Sequence, residues 1–130
     1  MEQALMLKQL SEAVAGGFNA CDRIDNGQLY VLVNNVPTVH NDWNLATADI
    51  LISVPSSYPV GGLDAFYVDR ALMLKNDQKH PRMSSEHPIL GKQWWLISWH
   101  YNKPWSPSQD TFLTHIYHCQ EYLRRGARSN

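Results

Sequence analysis

A serine and a histidine stand two positions apart in the C-terminal third of the chain, at Ser98 and His100. In an extended segment, residues two apart project to the same side, so the spacing predicts that these side chains share one surface. A serine hydroxyl is barely ionised at neutral pH, and a neutral histidine within reach can activate it as a general base. Such a pair can carry out acyl transfer through a serine ester. For a Ser-x-His pair taken by itself, however, the favoured interpretation is that both are hydrogen-bonded positions in an aromatic segment.

Three other histidines and the two cysteines are not favoured as reactive groups. His80 is expected in an exposed loop, and His115 and His118 have no third ligand nearby in sequence, so a solvated helix face is favoured over a metal pair. Cys119 falls in an apolar helical stripe and is expected in the core. Cys21 remains a less favoured alternative nucleophile. We therefore predict no metal site and no cofactor.

The composition predicts one globular domain. At 130 residues, with 44% apolar and 18% charged residues, the chain can bury a core and is too apolar to stay disordered. We place the domain at 1–130 and expect 126–130 to be a flexible tail. The net charge of −1 offers no excess of cations for nucleic acid or an anionic membrane. Without a long apolar run or a signal sequence, a cytoplasmic protein is expected.

The first half of the chain is patterned as a helix followed by strands. Apolar residues at helical spacing predict a helix over 2–15 that ends at Gly16-Gly17. The tripeptide Asp25-Asn26-Gly27 predicts a tight hairpin turn. The β-prone runs that follow predict an antiparallel meander of about four strands, including 28–34, 48–54 and 65–69.

The second half is expected to hold a loop and a closing helix. The segment 75–91 is polar and contains two prolines, which predicts an irregular loop at the active site. Ser106, Pro107 and Gln109 form a capping-box pattern that predicts the start of the last helix. The buried stripe of that helix is expected to comprise Phe112, Ile116, Cys119 and Leu123. Helix, meander, loop and helix together indicate an α+β fold.

Three landmarks in this order resemble those of ubiquitin-conjugating enzymes. The sequence 55–59, Pro-Ser-Ser-Tyr-Pro, resembles the proline–tyrosine–proline turn of that family. His87-Pro88 resembles the start of its histidine–proline–asparagine motif, and Trp105-Ser106-Pro107 resembles the opening of the helix after its active site. The segment 98–102, Ser-Trp-His-Tyr-Asn, resembles a bacterial branch found beside activating enzymes and ubiquitin-like proteins.

The resemblance implies a ubiquitin-conjugating-like α+β fold with an N-terminal helix, a four-stranded antiparallel meander, an irregular active-site loop and a C-terminal helix. It implies a ubiquitin-like protein, an adenylating (activating) enzyme and a target protein as partners. It also implies structural roles around the active site for five residues, namely Tyr58, Pro59, His87, Pro88 and Trp105.

Two departures from the family pattern leave the function open. Ile89 stands where the family has its asparagine, and no cysteine lies within a few residues of 95–98. A thioester at the usual place is thus chemically excluded, and the hydroxyl of Ser98 is the nucleophile nearest to it. The chain is either a transferase that carries an oxyester on Ser98, or an inactive binding module that scaffolds a ubiquitin-like protein or its activating enzyme.

Overall fold

The computed structural model describes residues 2–128 and opens with helix α1, Gln3–Ala15. Its buried side carries Gln9, Leu10 and Ala13. Gly17 follows with φ of 98°, a left-handed conformation that costs glycine little, and the helix stops there. The predicted N-terminal helix is confirmed.

One antiparallel sheet lies after α1. Within the described residues it has six strands in the order β1-β2-β3-β4-β6-β5. The tight turn predicted between β1 and β2 is present, with positive φ at Asn26 and Gly27. The strands are β1 (Asn19–Asp25), β2 (Gln28–Pro37), β3 (Thr47–Val54), β4 (Phe66–Asp69), β5 (Met83–Ile89) and β6 (Lys92–Ile97).

The α+β class is confirmed, but the sheet has more strands than the four predicted. The segment expected to be an irregular loop, 75–91, contains β5, which pairs with β6 as a hairpin. Pro88 suggests an interruption, yet β5 is an edge strand, where a proline costs no hydrogen bond to a neighbouring strand. The turn between β5 and β6 also gives no clear signal in the sequence. Its first residue, Leu90, adopts a positive φ of 54°, a conformation for which asparagine or glycine is usual.

The last helix, α2, spans Phe112–Arg125 and starts later than predicted. Its N-cap is Thr111, which forms a capping box with Thr114. The predicted cap, Ser106, lies in a preceding turn, where its carbonyl oxygen accepts the N–H groups of Gln109 and Asp110. The prediction failed because two capping patterns lie five residues apart. The buried stripe is confirmed, since all four of its predicted residues are fully enclosed.

The C-terminal end of α2 is docked on the rest of the domain. Trp43 donates its indole N–H to the Leu123 carbonyl oxygen at 2.7 Å, and His80 bonds the Gly126 carbonyl oxygen at 2.8 Å. A short 3-10 helix, Gly126–Arg128, continues the chain, and Asp42 accepts the N–H of Ala127. Residues 126–128 of the expected flexible tail are thus held by contacts, while 129–130 lie outside the described residues.

Apolar side chains pack on both faces of the sheet. The main core lies between the sheet and the two helices. On the other face a smaller cluster forms around Leu51 and Trp94, and the β5–β6 turn reaches across, where Leu90 donates its N–H to Asp25. No helix among residues 2–128 is long and apolar enough to cross a membrane. Ile97 at the end of β6 is fully buried, so the segment that follows this strand starts from a well-packed end of the sheet.

Candidate functional site

The candidate site begins where the chain leaves β6. Ile97, the last residue of that strand, is fully buried. Ser98 follows, and its backbone N–H donates to the Arg82 carbonyl oxygen at 2.8 Å. Its side chain is half-buried. The backbone of Ser98 is therefore fixed to the segment that precedes β5.

His100 is held by an aspartate that the sequence did not single out. Its Nδ1 lies 2.9 Å and 3.0 Å from the two carboxylate oxygens of Asp64, in the loop between β3 and β4. Both side chains are more than half exposed. A carboxylate only accepts, so Nδ1 carries the proton and, in the neutral ring, Nε2 has the free lone pair. This is the form of imidazole that a general base requires.

Asp64 was missed because nothing in its spacing reveals it. It lies 36 residues before His100, and the glycines at 61 and 62 indicate only a turn. The pairing arises because β4 lies beside β6, which brings the β3–β4 loop to the end of β6. Sequence order alone cannot place these two segments together.

Two clefts meet at His100 and Tyr101, which line both. The first has a volume of about 260 Å³ and is otherwise lined by Trp99, Asn102, His118 and Arg125. The second, of about 320 Å³, is otherwise lined by Gly62, Leu63, Asp64, Lys103 and Trp105. Ser98 lines neither of these clefts. His100 therefore borders both clefts, and its partner Asp64 borders the second.

Three of the residues named by the resemblance, Tyr58, Pro59 and Trp105, come together next to the second cleft, which Trp105 lines. Trp105 donates its indole N–H to the Pro59 carbonyl oxygen at 2.9 Å, and its ring lies 5.9 Å from that of Tyr58. The Tyr58 hydroxyl donates to the Gln9 side chain, and burial raises the pKa of Tyr58 to about 12. Tyr58 therefore keeps its proton and joins α1 to this wall of the site.

His87 and Pro88 do not reach the site. Both lie on β5, where His87 pairs with Trp94 and its Nε2 bonds the Ser85 hydroxyl at 2.8 Å. Met83, four residues earlier, is the residue that pairs with Ile97, so His87 lies roughly 13 Å farther along the strand. The expected placement of these two residues in an active-site loop is corrected: they belong to an edge strand, and the His87 ring bonds a hydroxyl rather than the backbone.

The expected solvated face of α2 is also corrected, because His115 is buried and His118 is partly buried. His115 is completely buried, and its Nδ1 forms a hydrogen bond of 2.6 Å with the Tyr101 hydroxyl. Its burial lowers its pKa to about 3, so the ring is neutral. His118 is stacked between Trp99 and Tyr101, with ring centroids 4.6 Å and 4.1 Å away. Aromatic partners distant in sequence enclose these rings, which helical spacing could not reveal.

Of the remaining expectations, the one for His80 is wrong and the one for Cys119 is confirmed. His80 is fully buried rather than exposed, and burial lowers its pKa. Cys119 is in the core as predicted, and burial raises the pKa of its thiol. Cys21 lies on β1, with three strands between it and β6, roughly 19 Å away at the usual strand spacing. Among residues 2–128 no three histidine, cysteine or acidic side chains are arranged to hold a metal ion.

The site thus offers an oriented imidazole, a serine two residues before it in the chain, and two open clefts. Comparisons with curated proteins and with solved structures find no match. A family model described as Prokaryotic E2 family E matches residues 15–126, which is most of the chain. E2 denotes the ubiquitin-conjugating enzymes, so this match confirms the resemblance that the sequence landmarks carry. The chain belongs to prokaryotic E2 family E.

Proposed function

We propose that this protein is the transfer component of a bacterial ubiquitin-like conjugation pathway and that it carries the activated C-terminus of a ubiquitin-like protein as an oxyester on Ser98. Family membership supports a conjugating-type protein. The observation that carries the finer proposal is the bond from His100 Nδ1 to Asp64, because it leaves Nε2 ready to accept a proton two residues from Ser98.

The reaction proceeds in two acyl transfers. The Ser98 oxygen attacks the activated carbonyl carbon, His100 Nε2 takes the hydroxyl proton, and the leaving group of the donor departs. His100 gives this proton to the departing group of the donor and becomes neutral again. An amine or hydroxyl of the target then attacks the ester carbonyl and loses its proton to His100 Nε2, which passes it to the Ser98 oxygen as that oxygen leaves. Asp64 stabilises the imidazolium that forms in each step.

The Ser98 hydroxyl makes no hydrogen bond to His100 in the described part of the free protein. Catalytic hydrogen bonds often tighten only when substrate binds, so this geometry is compatible with the proposal. Transfer through this pair requires the hydroxyl of Ser98, a half-buried residue, to come within hydrogen-bond reach of His100 Nε2 when the donor is bound. Ester formation on Ser98 is therefore the decisive measurement.

The experiment combines the protein with its activating enzyme, the ubiquitin-like protein and ATP, and locates any adduct by mass spectrometry. We expect an adduct on Ser98 that resists mild thiols and is cleaved by hydroxylamine. Ser98→Ala should abolish it, whereas Ser85→Ala, at an exposed serine of the edge strand β5, should leave it unchanged. An adduct formed by Ser98→Ala at the original rate would assign the nucleophile to another residue.

A binding module that scaffolds a ubiquitin-like protein or its activating enzyme is the second candidate. It is favoured by Ile89, which is almost fully buried against the outer face of the sheet and replaces the family's oxyanion-stabilising amide. Retained binding to an active partner enzyme, with no adduct on the wild-type protein, would support this function and reject transfer through Ser98.

A further inference from the structure

We propose that Tyr101 is a positioning residue for His100, and that the buried imidazole of His115 holds Tyr101 in place. The inference rests on the proposed function, since it assigns a role in presenting the general base. Tyr101 follows His100 directly in the chain and lines the same two clefts. Whatever fixes its side chain also fixes the peptide unit from which His100 projects.

The contact between Tyr101 and His115 is short and enclosed. The Tyr101 hydroxyl and His115 Nδ1 form a hydrogen bond of 2.6 Å, and no part of His115 is exposed. The low pKa of His115 keeps the ring neutral over the whole physiological range. Burial also raises the pKa of Tyr101, which keeps its hydroxyl protonated. The bond therefore does not switch with pH.

The His115 ring also lies near Asp64, the residue that bonds His100. The backbone of Asp64 lies close enough to the His115 ring to oppose the lowering of its pKa, although His115 Nε2 makes no regular hydrogen bond in the described residues. The segment that carries His100 and the segment that carries Asp64 therefore both approach this one side chain of α2.

The bond between His100 and Asp64 is too exposed to hold the His100 ring in one orientation by itself. His100 and Asp64 are each more than half exposed, and ion pairs at such sites contribute little because solvent screens them. Tyr101, by contrast, is stacked on His118 at 4.1 Å and meets Trp105 edge-on at 6.4 Å. The rigid element of the site is the tyrosine, and the imidazole of His100 depends on it.

The test measures the ring tautomer of His100 by nitrogen NMR in the free protein, which needs no partner enzyme. Wild type should show the form protonated on Nδ1. Tyr101→Phe keeps the stacked ring but loses the hydroxyl, so His100 should shift toward the form protonated on Nε2. The matched control, Tyr117→Phe, removes a hydroxyl from a tyrosine that is half exposed on α2 and should leave His100 unchanged.

Variants of His115 separate positioning from general loss of structure. His115→Asn retains an acceptor near the position of Nδ1 and should preserve the His100 signals, whereas His115→Leu should change them as Tyr101→Phe does. A circular dichroism spectrum and a melting curve confirm that each variant is folded. Unchanged His100 signals in a folded Tyr101→Phe protein would overturn the inference.

Adduct kinetics then distinguish this inference from the proposed function. If Ser98 forms the ester, Tyr101→Phe should slow it by roughly 10²-fold at saturating donor, the effect of a misplacement of about 1 Å, without weakening donor binding. An equal rate would reject positioning by Tyr101 and leave transfer through Ser98 intact. A His100 tautomer that depends on Tyr101, with no ester on any variant, would support positioning and reject transfer.

Discussion

Trp105 donates its indole N–H to the carbonyl oxygen of Pro59 across 46 residues of sequence, at 2.9 Å. The bond ties the segment after β6 to the loop between β3 and β4. The two surfaces fit closely, because a Cβ added at Gly62 would lie 2.3 Å from Trp105 Cγ. This packing is what allows Asp64, two residues after Gly62, to reach His100.

Gly62→Ala is expected to destabilise the protein, because the added methyl group collides with the Trp105 ring. Overpacking of this kind costs about 1–3 kcal/mol, which urea unfolding can measure. A double variant with Trp105→Ala supplies the control: if the collision is the cause, Gly62→Ala should cost much less in the absence of the ring. Additive losses would show that Gly62 acts in another way.

Ile116→Ala should lower the free energy of unfolding by about 2–5 kcal/mol, because Ile116 is fully enclosed in the main core and the truncation leaves a cavity. The neighbouring Tyr117 is about half exposed, so Tyr117→Ala should cost far less. Chemical denaturation of both variants checks the difference. A loss below about 0.5 kcal/mol for Ile116→Ala would place it on a surface.

These core positions are among those that the sequence could predict. The stripe of α2 and the start of β2 after Asn26-Gly27 follow from local rules, namely a period of 3.6 residues and turn chemistry. The β5 strand could not be predicted in the same way, because its proline and polar residues reflect its place at an edge. Whether a strand lies at the edge or in the centre depends on the order of all strands in the sheet, which local sequence patterns do not reveal.

The candidate site likewise combines residues that the sequence could predict with residues that it could not. Ser98 and His100 could be selected because their side-chain types and spacing suggest chemistry. Asp64 and the buried environment of His115 could not, since each depends on a contact between segments distant in sequence. The sequence misplaced His87 for a related reason, because the motif resemblance assumed a loop where the chain forms a hairpin.

Stability should fall as the pH is lowered from 7 to 5. His115 has a normal value of 6.5 when exposed, and burial lowers its pKa to about 3 in the folded protein. Between these values the unfolded state binds a proton and the folded state does not, so stability rises with pH. His115 alone is expected to remove about 2 kcal/mol between pH 7 and pH 5, and His80 and His118, whose pKa values burial also lowers, act in the same direction.

The slope of unfolding free energy against pH, measured in urea, tests this assignment. His115→Asn should flatten the slope between pH 5 and pH 6.5, because it removes the proton-binding group while keeping an acceptor for Tyr101. An identical slope in the variant would show that His115 does not remain neutral in the folded protein.

The outer surface of α1 is predicted to contact the activating enzyme, as the family resemblance implies. Leu7 and Val14 are 54% and 55% exposed, although both are apolar. Replacing both with serine should weaken binding by roughly tenfold, or about 1.4 kcal/mol, while the melting temperature stays unchanged. Truncation of 1–15 is a poorer test, since it also removes Gln9, which accepts bonds from Tyr58 and the Phe112 backbone.

Ile24→Ser is the matched control for α1, because Ile24 is an aliphatic side chain that is 69% exposed on β1. Binding is measured by titration calorimetry with the purified activating enzyme. Equal affinities for wild type and the α1 variant would remove this surface from the contact.

His100→Ala should slow ester formation on Ser98 by about 10²–10⁴-fold, the usual effect of losing a general base. Asp64→Asn should slow it less, because the amide can still accept the Nδ1 proton but no longer stabilises a charged imidazolium. Ser98→Cys should form a thioester that mild thiols cleave, and His100→Ala should slow that reaction less, since a thiol ionises more readily. Single-turnover rates with saturating donor provide the comparison. Equal rates for wild type and His100→Ala would mean that the proton leaves Ser98 by another route, and the oriented imidazole would then have no part in the transfer.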